Sequence, residues 1–380
     1  MITVNRKELV KALTLNKNIT TKRQIRGFSK LENTLLEARV SADTNVTHSL
    51  VVHATNLDQY TYSELKTLRT AQDSSDSISD KPFLVNTKLL LDIVKASDGT
   101  NVTLSVDGNT LTVSESARIP IKFDLENFPS TVFDITMEEV ATFSAKTAKR
   151  LFKQLNASAS NDETRYHLNG IYFDSKNSNL VAIDGHRMSV QEISFTNDAD
   201  FIAPTSLTKQ VSTMLSGSTC RTGSGSNGGE LGILFSDEVV CLVSGRYKVY
   251  SRVIAGKYPH YQQLIPQSIK TSVTLPVKDL VKSLKTIKPL INARLHQIIL
   301  DISRDKVSLN TKDNDAATSI EVKTLSYDNI TKEGLRISLN CQYMLDYLTT
   351  TPNDSVTLGL VDKLSPVKYD ESYIQMPMRF

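Results

Sequence analysis

The chain has 380 residues, more than one compact core accommodates, so two or three domains are expected. Hydrophobic residues make up 39% and charged residues 22%, the balance of a soluble globular protein and not of a disordered or fibrous one. A net charge of +3 selects no class of partner, so the distribution of charge has to be read instead.

The opening "MITVNRKELVKAL" lacks the continuous apolar core of a signal peptide. No stretch approaches the roughly 18 apolar residues of a membrane span, and a cytoplasmic protein is expected. The first predicted element is a helix around "LVKAL" (9–13), with Arg6, Lys7 and Lys11 in the same segment. Farther on, "PFLVNTKLLLDIV" (82–94) places a short apolar strand before a helix, with Asn86 as its N-cap. "NVTLSVDGNTLTVS" (101–114) alternates apolar and polar residues around Asp107-Gly108, a hairpin signal. "FDLENFP" closes this stretch at Pro129, where proline stops strand pairing.

The same series then recurs. "SAKTAKRLFKQLNAS" carries Ala148, Leu151, Phe152 and Leu155 at i, i+3, i+4, i+7, one apolar stripe. Lys146, Lys149, Arg150 and Lys153 repeat that spacing two residues out of phase, which puts four positive charges roughly opposite the buried face. "GIYFDSKNSNLVAIDGHRMSVQEISF" reads as strands, "DFIAPTSLTKQV" (200–211) as strand then helix at Pro204, and "VVCLVSGRYKVYSRVI" as strands again, with "VIAGKYP" closing at Pro259. A third, more diverged series has "LVKSL" (280–284), with Lys278, Lys282 and Lys285, and "LRISLNCQYMLDYL" (335–348), with Asn340 at the helix start. The fold class is therefore α+β, in three repeated domains at 1–130, 131–268 and 269–380, each running strand, helix, strands, helix, strands.

Lysine commonly decorates any solvated helix face. Three equivalent basic helices, interrupted only by Glu8 and Asp279, instead suit phosphate contact without sequence reading. No aromatic residue interleaves these charges, so base stacking is not indicated.

Other signals point to less. "GSGSNG" (223–228) matches a nucleotide-binding spacing, but the strand-like "LGILFSD" follows where a helix should open. Cys220, Cys241 and Cys341 are odd in number and widely spaced, and His48 and His53 fall on opposite faces of an alternating segment. No metal and no cofactor are expected. Asp184, His186 and Arg187 raise a hydrolase reading, but Asp-Gly between two apolar runs is first a turn, and no nucleophile accompanies them.

Three strings, "RYHLNGIYFD…LVAIDGHRMSV", "YSRVIAGKYPHYQQLIP" and the terminal "YIQMPMRF", together resemble the bacterial sliding clamp, the β subunit of DNA polymerase III. The resemblance implies a head-to-tail homodimeric ring with the paired helices lining its hole and the sheets outside. It implies a non-catalytic processivity factor that encircles duplex DNA and tethers the replicative polymerase. The basic helices would then be DNA-facing through Lys7, Lys11, Lys146, Lys149, Arg150, Lys153, Lys278 and Lys282, and the loop "TTKRQIRGFSK" through Arg23 and Arg26.

The resemblance also implies one partner-peptide pocket per subunit, shared by polymerase, clamp loader and other clamp-motif proteins. Carried over residue by residue, it comprises Leu168, then Gly185, His186, Arg187 and Met188, then Pro259, Gln263 and Leu264. The third domain adds Asn340, Tyr343, Leu364, Ser365 and Pro366, and the tail adds Ile374, Met376, Pro377, Met378, Arg379 and Phe380. Flexible Met at a shared surface repacks around different partners. Ile183 stands where the family usually has Thr, and Gln262-Gln263 where a basic pair is common. A monomeric three-repeat DNA-binding scaffold is the competing reading, and the mass in solution separates the two.

Overall fold

The computed structural model describes residues 1–21, 30–40, 47–68, 78–79, 81–126, 128–129, 136–196, 198, 200–216, 229–311, 319–330 and 334–379. Contacts group the chain into two units: unit 1 is Met1–Lys149 with Ser206–Val253, and unit 2 is Arg150–Thr205 with Ile254–Phe380.

The helices are α1 (Arg6–Ile19), α2 (Thr87–Ala96), α3 (Ala145–Ser158), α4 (Thr205–Thr208), α5 (Gln210–Met214), α6 (Val277–Ile287) and α7 (Cys341–Leu348). Six of them are entered directly from a strand, as at Ile2–Asn5 into α1 and Phe83–Asn86 into α2. Asn5, Asn86 and Asn340 are N-caps whose side chains accept from backbone N–H groups of the first turn. These caps turn an extended backbone into a helix within one residue. Pro204 ends its strand instead, and the helix after it breaks at Lys209 between α4 and α5.

Among the described residues, unit 1 carries a twelve-stranded antiparallel sheet. Its pivot is strand Gln59–Leu68. One edge pairs with Thr47–Thr55; the other pairs first with Tyr247–Arg252 and then, at Thr67 and Leu68, with Val4 and Thr3. The predicted hairpin forms, but Asp107 pairs with Thr110, so the turn centres on Gly108-Asn109, with Gly108 at φ +53°. Leu9, Ala12, Leu13 and Ile19 of α1 are buried, and the buried Asn16 is fully engaged. It donates to Thr34 Oγ1 (3.0 Å) and the His53 carbonyl (3.1 Å) and accepts from Thr61 Oγ1 (2.6 Å).

Among the described residues, unit 2 carries a nine-stranded and a four-stranded antiparallel sheet. Strand Tyr373–Gln375 near the C-terminus lies between Arg187–Glu192 and Val367–Tyr369, stitching early and late parts of the unit into one sheet. Val277, Leu280, Leu284 and Ile287 of α6 and Met344, Leu345 and Leu348 of α7 share one apolar core. No helix among the described residues is long and apolar enough to cross a membrane.

Candidate peptide pocket and basic helix faces

Some of the residues carried over to a pocket meet in unit 2, while no hydrogen bond, ion pair or shared apolar cluster joins Leu364, Ser365 and Pro366 to them among the described residues. Leu168, Met188 and Ile374 share one buried cluster with Val181, Ile183, Tyr258 and Tyr261. Leu168 is 5% exposed and Met188 2%, so both lie buried within this cluster. The large apolar side chains open to solvent are Leu264 (49%), Leu364 (66%) and Met376 (42%).

The Asp184–Arg187 turn joins two paired strands, with Ile183 opposite Met188. Asp184 Oδ1 accepts from the backbone N–H of His186 (2.8 Å) and of Arg187 (2.9 Å), and Oδ2 accepts from Arg187 Nε (2.9 Å). Its carboxylate is committed to the turn. Gly185 sits at φ +92°, a backbone conformation that favours glycine, while a Cβ there would meet only the movable end of Arg165, with Nη1 at 2.9 Å. His186 is exposed, and its carbonyl accepts from the Met376 N–H at 2.8 Å.

Arg187 is the most constrained residue of the group. Its Nη1 donates to Asp346 Oδ2 at 2.7 Å, and its guanidinium lies 3.9 Å from the Tyr343 ring centroid. Burial alone would lower its pKa, but Tyr373, Asp346 and Asp184 outweigh it and hold the group above its ordinary value.

Pro259, Gln263 and Leu264 are exposed on a segment anchored by Tyr261. The Tyr261 hydroxyl donates to the buried Asp174 carboxylate at 2.8 Å, and burial pushes that phenol well above its usual range, so it stays a donor. Tyr258 stacks on Tyr172 with centroids 4.8 Å apart. Asn340 spends its Oδ1 on the α7 cap, while its carbonyl accepts from Gln375 Nε2 at 3.1 Å. Leu364, Ser365 and Pro366 follow a turn that Asp362 builds, accepting from the N–H groups of Leu364 and Ser365 at 2.8 Å.

In the tail, the Met378 N–H donates to the Ser338 carbonyl and Gln297 Nε2 to the Arg379 carbonyl, each at 2.8 Å. Pro377 is half-buried, and Phe380 lies outside the described residues. Three residues around this turn were not singled out from the sequence: Asp346, Tyr261 and Arg165. Asp346 had a signal, since its i+3 spacing from Tyr343 puts both on one helix face.

The basic faces form as the periodicity requires. On α3, Ala148, Leu151, Phe152 and Leu155 are buried, Lys146, Lys149 and Lys153 are exposed, and Arg150 is half-buried. On α6, Lys278 and Lys282 are exposed opposite Leu280 and Leu284; Lys278 lies 3.9 Å from Asp354, both nearly fully solvated. On α1, Lys7 is exposed, but Lys11 lies 4.3 Å from the Tyr247 ring centroid. Arg6 is not on the basic face at all. It donates to the carbonyls of Gly99 (2.9 Å) and Lys95 (3.1 Å), closing the end of α2. Arg23 and Arg26 lie outside the described residues.

A family model described as DNA polymerase III beta subunit, central domain, matches residues 142–260, and the one for the C-terminal domain matches 262–378. Together they cover more than half of the chain. It belongs to the bacterial sliding clamps, the DNA polymerase III beta subunits. The beta sliding clamp of Rickettsia bellii is 25% identical over 399 residues, covering 100% of this chain and 99% of that protein. That of Synechocystis is 26% identical over 334 residues, 77% of this chain and 81% of its own. The crystal structure of the Bacillus subtilis DNA polymerase sliding clamp superposes with a TM-score of 0.83 over 100% of this chain and 99% of that one, at 17% identity, a likeness of fold.

Proposed function

We propose that this chain encircles duplex DNA as a head-to-tail homodimer and tethers the replicative polymerase, with no catalysis of its own. The observation that carries the reading is the exposed basic row on α3, opposite a fully buried apolar row and repeated on α6. Such a row attracts phosphates without reading bases. Lys7, Lys146, Lys149, Lys153, Lys278 and Lys282 are its foremost members; Arg150 and Lys11 stand at its margin.

The division at 1–130, 131–268 and 269–380 belongs to the same reading. It is supported by the strand-into-helix entries recurring in pairs along the chain, and by the two family matches abutting near the second boundary. The peptide pocket centres on Leu168, Arg187, Met188, Leu264, Tyr343 and Met376, with the remaining tail and turn residues as its rim. Polymerase, clamp loader and other motif-bearing proteins exchange there, in the cytoplasm.

Mass in solution tests the ring. A closed dimer sediments near twice 42.2 kDa; a single-chain mass at micromolar concentration favours the monomeric scaffold and defeats the ring. The chain has no Trp, so a Trp-bearing peptide with one Leu and one Phe reports pocket binding by its own fluorescence. Burying such side chains at about 1.5–3 kcal/mol each reaches roughly micromolar affinity.

A further inference from the structure

We infer that Asp346 and Gln342, neither of them a residue of the carried-over pocket, are positioning residues that set the pose of Arg187; the inference rests on the pocket reading above. Among the described residues of that pocket, Arg187 is gripped by two carboxylates, Asp184 on its own turn and Asp346 on α7, 159 positions away in sequence. The grip from Asp184 is local and keeps the guanidinium near its own backbone. The grip from Asp346 pulls the other side of the plane over α7, where Tyr343 waits one helical turn before it. Removing Asp346 therefore frees the guanidinium to swing off the ring, while the turn itself stays closed by Asp184.

Asp346 is itself oriented. Its Oδ1 accepts from Gln342 Nε2 at 2.6 Å, an i,i+4 contact on the same helix. Gln342 in turn has its amide fixed, because its Oε1 accepts from Lys288 Nζ at 2.6 Å. The amide cannot flip without losing both bonds, so Lys288 determines which end of Gln342 faces Asp346. The result is a chain, Lys288–Gln342–Asp346–Arg187–Asp184, of alternating donor and acceptor ends with one neutral link. Part of it lines a cleft of about 270 Å³ beside α7, where Lys288, Gln342 and Asp346 stay accessible to solvent. The pose of Arg187 is thus decided by side chains of α7 and, behind them, by Lys288.

The test measures peptide affinity by fluorescence on the intact dimer, with thermal unfolding followed in parallel. Asp346→Asn should weaken the Leu/Phe peptide about tenfold, which is about 1.4 kcal/mol. Asp346→Glu, which restores the charge, should recover most of it. Gln342→Ala, which leaves every charge in place and threatens folding least, should give a smaller loss of about threefold. In an Arg187→Ala background, Asp346→Asn should cost nothing further, because its effect acts through that guanidinium. Wild-type affinity in both Asp346→Asn and Gln342→Ala overturns the inference, as does a penalty that persists undiminished without Arg187. A wild-type protein that binds no such peptide sinks the pocket reading itself.

Discussion

At the residue scale, the site is built from side chains whose polar ends are spoken for by the fold. Tyr261 is the clearest case: its hydroxyl satisfies the Asp174 carboxylate inside the protein while its backbone carries Gln263 and Leu264 at the surface. Tyr261→Phe keeps the ring and deletes that bond. A hydrogen bond to a charged group is worth about 1.5–3 kcal/mol, and the unfolding of unit 2 should shift by that amount in a denaturant titration. Peptide affinity should fall with it, because the exposed 258–264 segment loses its tether. An unchanged unfolding midpoint would mean that Asn177, which also donates to Asp174, suffices alone.

At the element scale, the C-terminal strand holds the tail of the proposed pocket in place. Tyr373–Gln375 is a central strand, and the residues after it are fastened in turn to His186, Ser338 and Gln297. Deleting 376–380 removes two Met side chains and those fastenings but leaves the strand. The truncated chain should keep its dimeric mass and lose peptide affinity at least tenfold, about 1.4 kcal/mol. Equal affinity for full-length and truncated protein removes the tail from the site. The place of this element was legible beforehand through the family resemblance, although the strand stops at Gln375, and Met376 and Met378 lie beyond it. The closing contacts were not, since a backbone N–H pairing with residue 338 leaves no mark on the sequence of either segment.

At the scale of the whole molecule, the proposed ring separates attraction from retention. Lysine rows attract phosphates weakly; a closed ring retains by topology. The protein should persist on circular DNA and leave linear DNA through its ends, measured as residence time on each form. Reversing Lys149 and Lys153 to Glu should shorten residence on circles and flatten the salt dependence, whose slope is about 0.9 per neutralised phosphate, with no change in sequence preference. Loss of binding to one sequence only would refute sliding.

The sequence by itself determined what depends on neighbours a few residues apart. Helix faces on α3 and α6 followed from 3.6-residue periodicity, the Asn caps from side-chain reach to the next turn, and the Asp184 turn from Asp-Gly between apolar runs. Even there the 101–114 hairpin turned one residue later than its Asp-Gly suggested, because strand register is set by both partners. Only the tertiary structure decided which charges stay free. It spent Arg6 on the α2 carbonyls, laid Lys11 over Tyr247, pinned Arg187 between Asp184 and Asp346, and covered Leu168 and Met188. Each of those outcomes joins residues far apart in the chain, and the partner a side chain meets across that distance is fixed by how sheets and helices pack, which no local pattern encodes.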